Sequence, residues 1–288
     1  ITPGENFIMA LTKRLLLAAV AALALTAPAM AANMIGNCEV TGEKGSIPLA
    51  NPAKAGQFTV LTSLPAPIWW NGDAVENTKD GMEYCMAAEI AWRAGYDKME
   101  VVNTSWEAFI GNQAQGYDVG FAQTSITEER KKVFDFTTPY FNSDMGVIAK
   151  ADAPVDEKSI KTVKVGIQQG TTGAKFAQET LGIKDPQIFA DQPEMFAALR
   201  AGQVDAAITD TSITLAEEKA TEGKSKVMGQ YKTGEVYGGI MQKGNPNNET
   251  VSKIIQSMID DGTLAKLGAK YLAAGWGKDP ATIPYFNP

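Results

Sequence analysis

Two stretches of this chain repeat one another at a fixed offset of 87 residues. The segment from Glu107 to Thr127 matches the segment from Glu194 to Thr214 at eight of 21 positions. The identities are Glu107/Glu194, Phe109/Phe196, Ala114/Ala201, Asp118/Asp205 and the tetrapeptides Thr124-Ser125-Ile126-Thr127 and Thr211-Ser212-Ile213-Thr214. Each copy reads as a capped helix, a short turn, a buried strand and a polar loop. Thr104 or Ser105 can cap the first helix, and Thr104-x-x-Glu107 fits a capping box. Asp191-x-x-Glu194 does the same in the second copy, with Pro193 tolerated in the first helical turn. Chance similarity is the alternative reading. The pattern continues outside the echo. Phe58 to Leu61 and Met99 to Val102 read as strands, and a helix is predicted over about 82–94, ended by Gly95 as its C-terminal cap. Such alternation restricts the chain to α/β architecture with largely parallel sheets.

Parallel sheets bind ligands beyond the carboxyl ends of their strands. Gln123 and Asp210 hold equivalent places in the two copies, each just past a strand. After Val119 to Ala122 comes Gln123-Thr124-Ser125, with a helix start expected at Thr127 to Lys132. A helix start favours negative charge. Arg130 adds a planar fork able to grip a carboxylate with two parallel hydrogen bonds. Two units facing each other would put Gln123, Ser125 and Arg130 on one wall and Asp210 on the other. Opposite charges on opposite walls suit a zwitterion, which points to an α-amino acid. A surface arginine and a helix-capping aspartate are the plainer alternatives.

The second unit opens with Val163 to Ile167, followed by Gln168-Gln169-Gly170-Thr171-Thr172-Gly173 and a helix from about Ala174. The outline is that of a phosphate loop, but the Lys-Ser/Thr pair after the second glycine is absent. Nucleotide binding is therefore not expected.

The chain has 288 residues, 44% of them hydrophobic, enough for two compact lobes. A formal charge of −7 disfavours nucleic acid as a partner. The sequence contains no histidine, which removes histidine-based triads and most transition-metal sites, and no cofactor is expected. Residues 9–31 read as a secretory signal. Lys13 and Arg14 precede the apolar run Leu15 to Leu25, and Ala29-Met30-Ala31 is a small-residue cleavage site. Met9 is the expected start, with residues 1–8 as upstream sequence; a retained anchor is the alternative. Removal of residues 1–31 takes away Glu5, Lys13 and Arg14, which changes the formal charge from −7 to −8. Export makes a Cys38–Cys85 disulfide the simplest reading, with lipidation of Cys38 or two free thiols as alternatives.

The run from Gln123 to Arg130, with Phe134-Asp135-Phe136-Thr137-Thr138-Pro139-Tyr140 and Gln169-Gly170-Thr171-Thr172, resembles the family 3 periplasmic solute-binding proteins, the amino-acid receptors of ABC importers. Asp260 to Leu267 resembles the usual ending of that family, and the resemblance covers roughly residues 57–275. It implies a two-lobe periplasmic-binding-protein fold of type II, each lobe a mostly parallel sheet flanked by helices, with two hinge crossings. The crossings are expected near Ser143 to Gly146 and near Glu235 to Gly239. The implied organisation is 1–31 signal peptide with upstream residues, 32–56 N-terminal extension, 57–143 with 239–288 as the first lobe, and 144–238 as the second. Carried over by position, Arg130 with the Ser125 and Thr172 N–H groups would hold a ligand carboxylate. Asp210, the Ser125 hydroxyl and the Gln123 carbonyl would hold the α-ammonium.

The first lobe departs from the family pattern. No tyrosine or phenylalanine follows the first strand where members place an aromatic ring over the ligand. Trp69 or Trp70 is the candidate to supply that face, with a hydrophobic contact outside the cleft as the alternative. Glu83 keeps an acid that in relatives sometimes reads the ligand side chain, with a solvated first-turn acid as the alternative. The implied function is capture of a polar L-amino acid by a periplasmic, monomeric, non-enzymatic receptor that delivers it to a membrane permease. A periplasmic dehydratase-like enzyme of the same fold is the rival, and Glu83 is its one candidate acid.

Overall fold

The alternation of strands and helices resolves into two five-stranded sheets and a small hairpin. The structure is a computed structural model that describes residues 32–288, so the secretory segment expected over 9–31 lies outside the described residues. The chain begins with the hairpin strands β1 (Asn33–Ile35) and β2 (Cys38–Val40). It continues through β3 (Phe58–Thr62), α1 (Met82–Arg93), β4 (Met99–Asn103), α2 (Trp106–Ile110), β5 (Val119–Gly120) and β6 (Phe134–Phe136). It then crosses to β7 (Phe141–Lys150), β8 (Val165–Gln168), α3 (Thr172–Lys175), β9 (Gln187–Phe189), α4 (Gln192–Ala201), β10 (Ala206–Asp210), α5 (Thr211–Ala220) and β11 (Ser225–Tyr237). It returns as β12 (Ile240–Gln242), α6 (Asn248–Asp260) and α7 (Thr263–Leu267).

The first sheet has the order β4-β3-β5-β12-β6 and the second the order β11-β7-β10-β8-β9. In each, three strands run parallel, and antiparallel pairing is confined to the side where the chain crosses between sheets. Every residue of β3 and of β10 is buried, as expected of central strands covered on both faces. α6 buries Val251, Ile254, Ile255 and Met258, one helical stripe, and packs beside α1. α6 and α7 are separate helices, because Gly262 adopts the left-handed conformation at φ 80° and starts α7 afresh.

The extension before β3 is ordered by its contacts. Cys38 and Cys85 form a disulfide that ties β2 to α1. The buried Glu89 carboxylate accepts the backbone N–H groups of Thr41 and Gly42, and pairs with Arg93 at 2.8 Å. Arg93 reaches on to Ser257 at 2.8 Å and Asp261 at 2.8 Å, so the extension, α1 and the end of α6 share one polar network.

The echo seen in the sequence is partly structural. Ser105 caps α2 through the N–H of Ala108, and Asp191 caps α4 through the N–H of Glu194. Asp118 accepts the Thr59 N–H at 2.7 Å, while Asp205 accepts the Lys164 N–H at 2.9 Å. Each aspartate thus fastens its own strand to the parallel neighbour. After the strands the copies diverge. Thr211 to Thr214 open α5, whereas Thr124 to Thr127 stay non-helical and only Arg130–Lys132 form a short 3₁₀ turn. The helix expected from Thr127 is therefore absent, and with it the helix-start charge.

The first crossing falls outside its expected place, while the second falls within the expected residues 235–239. Ser143 to Gly146 lie inside β7, paired with β11 and β10. The chain passes between sheets at residues 137–140 and 238–239, which are bonded together by Thr137 N–H to Gly239 O (3.0 Å) and Tyr140 N–H to Tyr237 O (3.0 Å). Gly238 and Gly239 serve close packing here. An added Cβ would meet Ile126 Cδ1 at 2.7 Å and Phe121 Cε1 at 2.5 Å respectively. The last residues also differ from the expectation that all of 239–288 joins the first lobe. Ile283 packs with Leu215 and Val227, and the Phe286 N–H donates to Gln230 O at 2.8 Å, so the tail adds to the second sheet. An apolar side chain, Ile283, and a free backbone edge at Gln230 outweigh sequence proximity to α7. Among the described residues no helix is long and apolar enough to cross a membrane.

Candidate ligand-binding site

The carboxyl ends of β5 and β10 face one cleft of about 80 Å³. Gln123, Ser125 and Arg130 line it from the first lobe, and Thr172 and Asp210 from the second. These five residues are the ones singled out in the sequence, and the fold brings all of them together.

Arg130 leaves the 3₁₀ turn with its backbone N–H on Thr127 Oγ1 at 3.1 Å. Its guanidinium donates to Ser125 O at 2.8 Å and to Gly170 O at 3.1 Å, one carbonyl from each lobe. Trp106 lies against it with 5.5 Å between the guanidinium carbon and the ring centroid. Burial pulls the guanidinium below its ordinary pKa, while the nearby Asp210 and Glu235 favour its charged form. A guanidinium has five N–H donors, so two carbonyl bonds leave donors for an incoming anion.

Asp210 occupies the N-cap place of α5 but makes no capping bond. Its carboxylate instead accepts Ser143 Oγ–H at 2.8 Å, beside a buried Tyr237 hydroxyl that also meets Ser143 and Ser212 at 3.1 Å. Burial, and then the charge of Glu235, raise Asp210 to about 6. The capping alternative for this residue is thereby replaced by an acid held at the cleft wall.

Thr172 opens α3 behind Thr171, which caps the helix through the Ala174 N–H at 3.0 Å. Gly170 takes φ 73°, the left-handed turn that the glycine of this loop permits. The Thr172 hydroxyl donates to Glu235 at 2.8 Å, and the Ser125 hydroxyl donates to the same Glu235 oxygen. Glu235 thus gathers a hydroxyl from each lobe. In the sequence it was visible only as part of a crossing. Trp106 and Gln168, which also line the cleft, had no distinguishing signal.

Three further candidates fall elsewhere. Glu83 is fully buried and does not line the cleft. It accepts the Gln123 N–H at 2.8 Å, the Gln123 side-chain amide at 2.6 Å, Trp70 Nε1–H at 2.7 Å and the Tyr140 hydroxyl. Burial raises its pKa, and these bonds oppose the rise. A direct ligand contact by Glu83 is therefore corrected to support of Gln123 from beneath. Trp70 is buried with it and does not line the cleft, and its indole N–H is spent on Glu83. Trp69 is buried edge-on against Phe141 and Tyr237 and borders a neighbouring chamber instead.

Two α/β lobes joined by paired crossings, with a polar cleft at their strand ends, define a solute-binding protein of the type II periplasmic-binding fold. The chain belongs to the bacterial extracellular solute-binding proteins, family 3, whose pattern matches residues 66–274. The L-cystine-binding protein TcyJ of Escherichia coli (strain K12) is 29% identical over 227 residues, covering 75% of this chain and 83% of the relative. The solved structure of an ancestral arginine-binding protein bound to arginine superposes with a TM-score of 0.66 at 33% identity, over 75% of this chain and 98% of that one. An ancestral amino acid-binding protein described as a precursor of cyclohexadienyl dehydratase gives a TM-score of 0.66 at 28% identity, over 75% and 95% of the two chains.

Proposed function

We propose that this protein is a periplasmic receptor that captures a polar L-amino acid in the cleft and delivers it to the membrane permease of an ABC importer. It acts as a monomer whose lobes close over the ligand. The observation that carries the reading is the placement of Arg130 and Asp210 in one cleft, cation and acid both with unspent capacity. Arg130 and the Thr172 and Ser125 N–H groups take the carboxylate; Asp210 and the Gln123 carbonyl take the α-ammonium. The closed form gains contacts with both ends of the ligand, which the open form cannot make, so ligand shifts the equilibrium toward closure. Relatives named for binding cystine and arginine support an amino acid as the cargo.

A binder is favoured over a dehydratase-like enzyme because Glu83, the acid proposed for such chemistry, is enclosed by donors away from the cleft. A thermal-shift screen over the twenty amino acids tests the reading. A ligand at 100 times its Kd adds about 2.7 kcal/mol to stability. Flat melting curves for all twenty, with turnover of prephenate-like acids, would replace the receptor with the enzyme.

A further inference from the structure

Glu235 does not line the cleft, yet hydroxyls from both walls donate to it. They belong to Ser125 of the first lobe and Thr172 of the second, and both meet one carboxylate oxygen, Thr172 at 2.8 Å. The backbone aims the acid at that point. The ladder between β7 and β11 shifts register between Tyr231 and Glu235, and Gly234 takes φ 68° in the gap. A break of this kind re-aims the side chains beyond it. Past the break Glu235 pairs with Ser143, and Ser125 is bridged to Tyr237, so the acid stands at the junction of the two lobes. Arg130 ties the same two segments a second time, through Ser125 O and Gly170 O. Among the described residues no backbone acceptor meets the Ser125 or the Thr172 N–H.

We propose that Glu235 is a positioning residue: it binds the Ser125 and Thr172 hydroxyls and so assembles the carboxylate seat before a ligand arrives. The inference rests on the amino-acid reading of the cleft. An ionised carboxylate has acceptors only, so both hydroxyls must donate to it, and neither is free to turn toward a ligand carboxylate. The seat is left to Arg130 and to the two N–H groups, which one shared oxygen holds near each other across the lobes. Ordering these groups in advance spares the ligand that cost. The charge of Glu235 works the other way, because it repels an incoming carboxylate. Tie and charge therefore pull affinity in opposite directions, which makes them separable.

Two variants of the full chain test this. Glu235→Gln keeps an acceptor oxygen for the hydroxyls and removes the charge, whereas Glu235→Leu removes both; Glu235→Ala replaces the latter if it folds poorly. Hydrogen exchange without ligand reads the tie itself. Glu235→Leu should speed exchange of the bonded Ile126, Ala174 and Lys175 amides by about tenfold, and Glu235→Gln should restore most of the protection. Calorimetry with L-arginine, L-glutamine and L-cystine at about pH 8, where Asp210 is ionised, reads the seat. Glu235→Gln should bind about tenfold tighter than Glu235→Leu. In a Ser125→Ala, Thr172→Val background, which keeps both N–H groups, the two variants should bind alike. Exchange unchanged in Glu235→Leu, or equal affinities for the two variants in the parent background, overturns the tie. Failure of the parent to bind any of the three probes counts against the amino-acid reading, and exchange alone then decides the tie.

Discussion

The Glu83 carboxylate accepts both the backbone N–H and the side-chain amide of Gln123, at 2.8 and 2.6 Å. Gln123 has φ 46°, a left-handed conformation unusual for a residue with a side chain. A buried acid on α1 therefore fixes the backbone turn at which β5 delivers Gln123 and Ser125 to the cleft.

Replacing Glu83 by Gln puts an amide among four donors, one of which then faces another N–H. The expected cost is about 1–3 kcal/mol of stability for the unsatisfied buried group. Ligand affinity should fall as well, because the Gln123 carbonyl loses its setting. Urea unfolding and calorimetry on the same variant check both effects. A loss of affinity without loss of stability would argue that Glu83 touches the ligand after all.

Arg130→Lys should weaken ligand binding strongly, since a point charge cannot copy a planar fork that also spans Ser125 O and Gly170 O. Arg130→Ala should cost on the order of 3–5 kcal/mol by leaving a buried carboxylate without its partner. Near-native affinity for either variant by calorimetry removes Arg130 from the site.

The Asp210 carboxylate, at about 6 against an ordinary 3.8, gives two opposite pH trends. An acid raised on folding favours the folded protein while protonated, so its contribution to stability is present below the ordinary value and lost as pH rises toward about 6. Binding of an α-ammonium needs the ionised acid, so affinity should fall by about tenfold per unit as pH drops below that range. Asp210→Asn should remove this acid limb and lower neutral-pH affinity by about tenfold to a thousandfold. Small-angle scattering should also show less compaction on adding ligand. Normal affinity with normal closure would sink the two-wall arrangement.

The charge of Glu235 is the second cause of the raised Asp210 value. Glu235→Gln should therefore move the acid limb of the affinity profile to lower pH. It also alters the acceptor shared by Ser125 and Thr172, so the shift of the limb, rather than the absolute affinity, is the diagnostic quantity. An unmoved limb would mean that solvent screens the two acids from each other.

The Cys38–Cys85 disulfide closes a separation of 47 residues and is expected to contribute roughly 3–4 kcal/mol. Intact mass of the exported protein without reductant should lie about two daltons below the dithiol value. Two titratable thiols in unfolded, unreduced protein would exclude the bridge. Cys38→Ser should loosen the β1–β2 hairpin from α1 and lower the melting temperature more than the ligand affinity, since neither cysteine lines the cleft.

The cleft residues were legible in the sequence because strand-end position and side-chain charge are local properties. Gln123 and Asp210 stand at the carboxyl ends of their strands and Arg130 carries a fixed charge close behind one of them, whereas Thr172 was singled out only through the resemblance to the family. Glu83, Trp70 and Glu235 were not legible in their roles. Whether an acid meets ligand, water or a backbone N–H depends on what packs over it, and those partners come from residues 13 to 110 positions away.

The tetrapeptide Thr-Ser-Ile-Thr marks the division. By itself the sequence determined alternating α/β elements, helices capped at Thr104 or Ser105 and at Asp191, and two strand ends bearing a glutamine and an aspartate. It did not determine the path of the backbone beyond those ends. After Asp210 the four residues begin a helix that buries Ile213 and Leu215. After Gln123 the same four remain non-helical, with Ile126 N–H on Val236 O at 2.9 Å and Ser125 bridged to Tyr237. The local preference is identical, so tertiary pairing with β11 decides: backbone groups already bonded across the crossing are not free to close helical turns.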